Sequence, residues 1–169
     1  MNVSVELNHV AGSELPVSEA EAASVCQAVL DHEGVTRACV VSLTLQDDDG
    51  IRELNAEWRG VDAATDVLSF EMDKPDDKSL EDEEPCELGD IVLACDFLRE
   101  QAQRMGTTAA DETRLMLVHG MLHLLGLDHV EESDARQMQD LEDEILASIH
   151  TDGTLGPVEL TRHREEGRA

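Results

Sequence analysis

The residues best placed to do chemistry in this chain are three histidines in the stretch HGMLHLLGLDH, His119, His123 and His129. The first two stand four apart, so on a helix they face the same way one turn from each other. Gly126 then interrupts the helix, because glycine readily takes the left-handed turn that ends one. Three residues later His129 can return toward the first pair. Three imidazoles converging on one point are the ligand set of a catalytic zinc site, which keeps a fourth position open. The plainer reading is three unrelated histidines on a core helix. Leu115, Val118, Leu122 and Leu125 form an apolar stripe beside them. Without a metal, ring nitrogens next to that stripe would lose water for nothing in return.

A closed structural site would need a fourth ligand of good type, and none lies at motif spacing. Asp128 fits better as a residue that orients an imidazole. An open site favours catalysis, because the ion acidifies bound water and polarises a carbonyl or phosphoryl oxygen. The spacing H-x-x-x-H-x-x-G-x-x-H coincides with that of metzincin peptidases, whose first histidine is followed by a glutamate general base. Here that position is Gly120. Losing such a base costs a peptidase about 10²–10⁴-fold in rate. Proteolysis is therefore the weaker enzymatic reading, with Glu112 or Asp128 as its only substitutes for the base. A non-enzymatic alternative is a zinc that only fixes the fold. Three histidines also accept nickel or copper, so spacing alone does not single out zinc.

These histidines need a scaffold, and the 169 residues suffice for one domain with a core. Hydrophobic residues make up 41%, the proportion of a globular chain. No apolar run approaches the roughly 18 residues of a membrane span. The start, MNVSVELNHV, lacks the basic and apolar regions of a signal peptide, so a cytoplasmic location is expected. Cys26, Cys39, Cys86 and Cys95 form no CxxC pair and are expected as free thiols, with Cys26, Cys39 and Cys95 in the core. The formal charge is −27, from 39 acids and 12 bases. Such a surface repels nucleic acid at low salt. Acids concentrate in residues 73–90 and 131–144.

Along the chain, residues 3–8 alternate as a first strand. Ser18 and Glu21 form a capping box for a helix carrying Ala22, Val25, Val29 and Leu30, ended by Gly34. Residues 38–46 read as a second, central strand and DDDG (47–50) as a turn. Ile51, Leu54, Asn55 and Trp58 outline a short helix stopping at Gly60. Val67, Leu68 and Phe70 mark a third strand, and 88–94 a fourth. The acidic loop between them reads as a mobile linker. Helices follow over 96–105, 109–125 and 133–149, the second capped by Thr108 with Asp111, the third by Ser133 or Asp134. The order β-α-β-α-β-β-α-α-α predicts an α+β or α/β-like sandwich: a four-stranded mixed sheet with about five helices, the last two strands before the helices antiparallel. Residues 1–150 form the single domain and 151–169 a flexible C-terminal tail.

HGMLHLLGLDH, together with LNAEWRGVDAATDVLSFEM upstream and LGDIVLA between, resembles the YbeY family of bacterial ribosomal RNA maturation factors. The resemblance spans roughly residues 38–150. It implies a single-domain zinc-dependent endoribonuclease, directed at single strands. The expected role is in processing ribosomal RNA, notably the 3′ end of the small-subunit RNA, and in ribosome quality control. It places one zinc on His119, His123 and His129, and a functionally critical arginine on Arg59. Thr65, Asp66, Val67, Leu68, Ser69 and Phe70 match the family's strand motif. Such a reaction needs no carboxylate base if the RNA's own 2′-hydroxyl, or a metal-bound hydroxide, is the nucleophile, and Arg59 would neutralise charge on the phosphoryl oxygens. By itself, Arg59 is an ordinary cation at a helix end.

The acidic surface fits such a role poorly. The bases open to phosphate are Arg59, Arg99, Arg104, Arg114 and the tail's Arg162, Arg164 and Arg168. Aromatics are 2%, and Trp58 beside Arg59 is the single candidate stacking platform, with a place in the core as its plainer role. Weak intrinsic RNA affinity follows. The expected partners are therefore ribosomal RNA and basic ribosomal proteins or assembly factors that deliver the enzyme, with no membrane and no DNA.

Overall fold

Strand periodicity builds the sheet. The computed structural model describes residues 1–10, 12–127 and 132–153. The strands are β1 (Val3–His9), β2 (Cys39–Gln46), β3 (Val67–Glu71) and β4 (Cys86–Ala94). They lie in the order β1-β2-β4-β3, with β1, β2 and β4 parallel and β3 antiparallel to β4. The mixed α+β sheet, the central place of β2 and the local antiparallel pair all match the sequence expectation. In β2 buried and half-buried residues alternate without a break, as a strand with helices on both sides requires. Gly89 sits just past a bulge in β4 at φ +140°, where any Cβ would collide with the Phe70 carbonyl oxygen.

The helices are α1 (Glu19–His32), α2 (Asp48–Arg59), α3 (Cys95–Met105), α4 (Ala109–Leu124) and α5 (Glu132–Ala147). Ser18 caps α1 by accepting from the Glu21 amide at 3.0 Å, and Thr108 caps α4 by accepting from the Asp111 amide at 3.0 Å. The residues proposed to cap α5, Ser133 and Asp134, have side chains outside the description. DDDG is not a turn. Asp47 accepts from the Gly50 amide at 2.7 Å, which makes it the N-cap of α2, with Asp48 and Asp49 in its first turn. Acids there meet the positive end of the helix dipole, so the residues that favour a turn also start a helix.

The two faces of the sheet are covered unequally. Ile51 and Leu54 of α2 pack on Leu68, Phe70 and Val92 on one face. The larger core lies on the other, where α1, α3, α4 and α5 pack on Val41, Leu43, Ile91 and Leu93. In α4, 13 of 16 residues are buried, so it is enclosed on all sides. The acidic stretch after β3 is tied down: Arg37 donates to the Glu81 carbonyl oxygen at 2.9 Å, and Lys74 to that of Leu124 at 3.2 Å. Asp152 and Gly153 donate backbone N–H groups to the Asp111 carboxylate, so ordered backbone reaches residue 153. The expected flexible tail lies outside the described residues from 154 on. Among the described residues no helix is long and apolar enough to cross a membrane.

Candidate metal centre

The enclosed helix α4 brings two of the three histidines together. His119 Nε2 and His123 Nε2 are 2.9 Å apart, with ring centroids 4.5 Å apart and planes inclined at 77°. His119 is buried, while His123, a turn later, is half-buried. Behind His119 stands Glu142 of α5, whose Oε1 accepts from His119 Nδ1 at 3.1 Å. That contact places the ring proton on Nδ1 and leaves the His119 Nε2 lone pair aimed at its neighbour. Two ring nitrogens so close need a proton or a cation between them. The pair, with a carboxylate fixing one tautomer from behind, has the donor chemistry of a divalent metal site. Among the described residues no group of three such side chains is assembled. His129, the third histidine of the motif, and Asp128 lie outside the described residues.

Sequence reasoning missed Glu142. It is 1% exposed on the buried face of α5 between Met138 and Ile145. An acid four residues after one core position and three before another was the available signal, since a buried carboxylate demands a partner.

Gly120 has a packing reason. A Cβ there would meet Ile91 side-chain carbons at 3.1–3.2 Å, so the helix lies directly on β4. A glutamate at this position would be driven into the sheet. Glu112 cannot replace it. It is fully buried in the first turn of α4, accepting from Thr107 Oγ1 at 2.8 Å. Seven residues separate it from His119, about 10 Å along the helix axis.

The strand motif serves architecture. Thr65 and Asp66 are buried, and Asp66 Oδ1 accepts from the Val67 amide at 2.8 Å. Gln101 of α3 donates to Asp66 Oδ2 at 3.4 Å and to Glu112 Oε1 at 3.3 Å. This chain fastens the start of β3 to α3 and to the first turn of α4. Cysteine chemistry is absent among these residues. Burial pushes the thiol pKa of Cys26 up to about 12 and those of Cys86 and Cys95 to about 11, and it raises that of Cys39. All four are free, buried thiols, Cys86 included.

Arg59 is not brought to the histidines. It is the exposed last residue of α2, on the sheet face opposite α4, with β3 at the edge between them. Gly60 follows at φ 71° and turns the chain away. Asn55 Nδ2 donates to the Ala63 carbonyl oxygen at 2.8 Å and fastens the returning loop. Among the described residues Arg59 has no hydrogen bond or ion pair. Arg52, Arg99 and Arg114 are paired with Asp62, Asp96 and Glu21.

The chain is similar to known proteins. The chain is 39% identical over 152 residues to a protein of Salinispora tropica named Endoribonuclease YbeY, covering 86% of this chain and 96% of that one. A protein of the same name from Gloeobacter violaceus is 42% identical over 146 residues, covering 86% and 75%. A Thermotoga maritima protein solved in solution shares the fold, with a TM-score of 0.55, 23% identity and coverage of 85% and 87%. The family profile described as Endoribonuclease YbeY matches residues 9–150. With the fold, the relatives and the family profile in agreement, the chain belongs to the YbeY family.

Proposed function

We propose that this chain is a zinc-dependent endoribonuclease that cuts single-stranded segments of ribosomal RNA, in the cytoplasm, during maturation of the small-subunit RNA 3′ end and ribosome quality control. The observation that carries this is the pair of Nε2 atoms 2.9 Å apart, with Glu142 behind His119. Family membership supplies the RNA-cleaving reading. His119 and His123 would hold one zinc, with His129 as third ligand from its place in the motif. When bound, zinc supplies Lewis-acid charge for a scissile phosphodiester.

The chain's own residues do the rest. Glu142 keeps the His119 proton on Nδ1 and so keeps Nε2 available at every turnover. Gly120 lets α4 lie on the sheet and leaves the centre without a carboxylate base of the peptidase kind. A ribonuclease does not need one, because the 2′-hydroxyl of its substrate is an internal nucleophile. Arg59, exposed and unpaired among the described residues, is available to neutralise a phosphate of the bound strand. With a net charge of −27 the protein depends on a basic ribosomal protein or assembly factor to reach its RNA.

Incubation of the purified protein with structured RNA and with casein, with and without chelator, tests the reading. RNA cut and casein intact, with cutting lost on chelation, is expected. Casein cleavage would restore the peptidase. Unfolding on chelation with neither substrate cut would leave zinc a structural role.

A further inference from the structure

The side chain that the structure moves furthest from its expected place is Trp58. It is 64% exposed, although its position on the apolar face of α2 suits the core. Its ring stands edge-on to Phe70, with centroids 5.9 Å apart and planes at 69°, and this contact fixes its orientation. Leu68, Phe70 and Met72 alternate onto the same face of the edge strand and its extension, and Met72 is 67% exposed. Apart from Met1, the exposed large apolar side chains among the described residues are Trp58, Val61 and Met72. Of these, Trp58 stands against Phe70 of the edge strand β3.

Arg59 follows Trp58 directly. Several other cations are engaged inside the molecule: Arg37 on loop carbonyls, Arg52 on Asp62, Lys74 on Glu71 and Arg114 on Glu21 and Asp111. Arg59 keeps its guanidinium in water next to the chain's only tryptophan. Glu53 and Glu57 lie on the same helix, and Asp62 lies just beyond it, so a long run of phosphates is repelled here.

We infer that Trp58 and Arg59 form a one-nucleotide grip for single-stranded RNA, the indole stacking on an unpaired base and the guanidinium holding an adjacent phosphate. The inference deepens the nuclease reading and rests on it. Stacking gives affinity without a basic surface, which this protein lacks. It also selects substrate, because a duplex offers no exposed base face within its stack. Sequence preference at the gripped position is weak, since every base has a π-face.

Trp58 is the sole tryptophan, so intrinsic fluorescence reads this site alone. The full-length protein is titrated with a short single-stranded 2′-O-methyl oligonucleotide carrying an end label, and binding is followed independently by anisotropy. Quenching that tracks the anisotropy curve is expected, with no quenching by inorganic polyphosphate. Trp58→Ala is expected to weaken binding roughly 5- to 100-fold and Trp58→Phe much less. Arg59→Ala should lower the salt dependence by about one phosphate contact. Binding without quenching, equal quenching by polyphosphate, or a Trp58→Ala protein that binds like wild type would overturn the grip. A fluorescence change with protein concentration alone would overturn it in favour of self-association. In a parallel assay with natural RNA, cleavage beside a silent Trp58 removes only the grip. Neither binding nor cleavage removes the nuclease reading as well.

Discussion

The two ends of α4 each hold a polar cluster, and they differ in the chemistry of the groups brought together. At the N-terminal end Arg114, 4% exposed, donates to both oxygens of Glu21 at 2.9 Å and to Asp111, and lies 3.3 Å from Asp152. Asp111 takes two further N–H groups from Asp152 and Gly153. Every charge there faces an opposite charge or a donor, and the hydrogen bond to Glu21, with the other carboxylates, holds the guanidinium pKa well above its usual value. Toward the C-terminal end, two like atoms, both Nε2, face each other. A cluster matched to itself is architecture. Two imidazole nitrogens brought this close have the donor chemistry that can share a metal ion. The same helix thus holds a cluster of matched charges and a pair of metal-type donors about one and a half turns apart, from Arg114 to His119.

The most severe test of that contrast is His123→Ala. The histidine is half-buried and its removal leaves the charged cluster intact, so metal-free stability should change by no more than about 1 kcal/mol. Zinc content should fall to background, and RNA cleavage with it. Stoichiometric zinc in the dialysed variant would contradict its role as ligand. The opposite change is Arg114→Met. It strands the Asp111 carboxylate, 2% exposed, and should cost about 3–5 kcal/mol in urea unfolding. The folded fraction should keep its zinc. Loss of both together would show that the two ends are one unit and the contrast is false.

The charged cluster and the histidine pair were unequally legible in the sequence. The histidine spacing announced that His119 and His123 meet, and Gly126 that α4 ends there, because helical geometry and a helix stop both leave marks in spacing. Ser18 and Thr108 announced two helix starts for the same reason. Partners brought by tertiary packing leave fainter marks. Glu142 lies 23 residues from His119, and Glu21 lies 93 from Arg114. Trp58 falls seven residues after Ile51, on the same side of α2, so periodicity assigned it to the core. Periodicity gives a direction and says nothing of where the sheet ends, and Trp58 meets the edge strand, against Phe70, and stays 64% exposed. The turn expected at 47–50 failed because Asp47 serves a turn and an N-cap through the same hydrogen bond.

Glu142→Gln sharpens the contrast at smaller amplitude. The variant keeps the shape and one acceptor behind His119 but removes the charge. Zinc affinity, measured by chelator competition, should drop about 10–100-fold while the fold persists. An unchanged affinity would mean that the carboxylate only packs α5 on α4 and does not orient the ring.

The smallest effect is expected at His32, which belongs to neither cluster and shows what exposure does to the same chemistry. Its Nδ1 lies 2.8 Å from Glu33 Oε2 and its Nε2 lies 2.9 Å from Glu144 Oε2, tying α1 to α5 at the surface. Only the imidazolium can donate to both carboxylates, so the hydrogen bond to Glu33, then that to Glu144, raises the folded pKa above 6.5. A raised folded value means that the fold binds the proton more tightly than the unfolded chain does. The resulting stability is fully present below the unfolded value near 6.5 and disappears as pH rises through the folded one. Melting curves of wild type and His32→Gln should therefore separate in mildly acidic buffer and converge in mildly alkaline buffer. The gap should shrink further with added salt, because Glu144 is open to water and Glu33 is half-buried at the surface. A gap that widens with rising pH would mean that neutral His32 is the stabilising form.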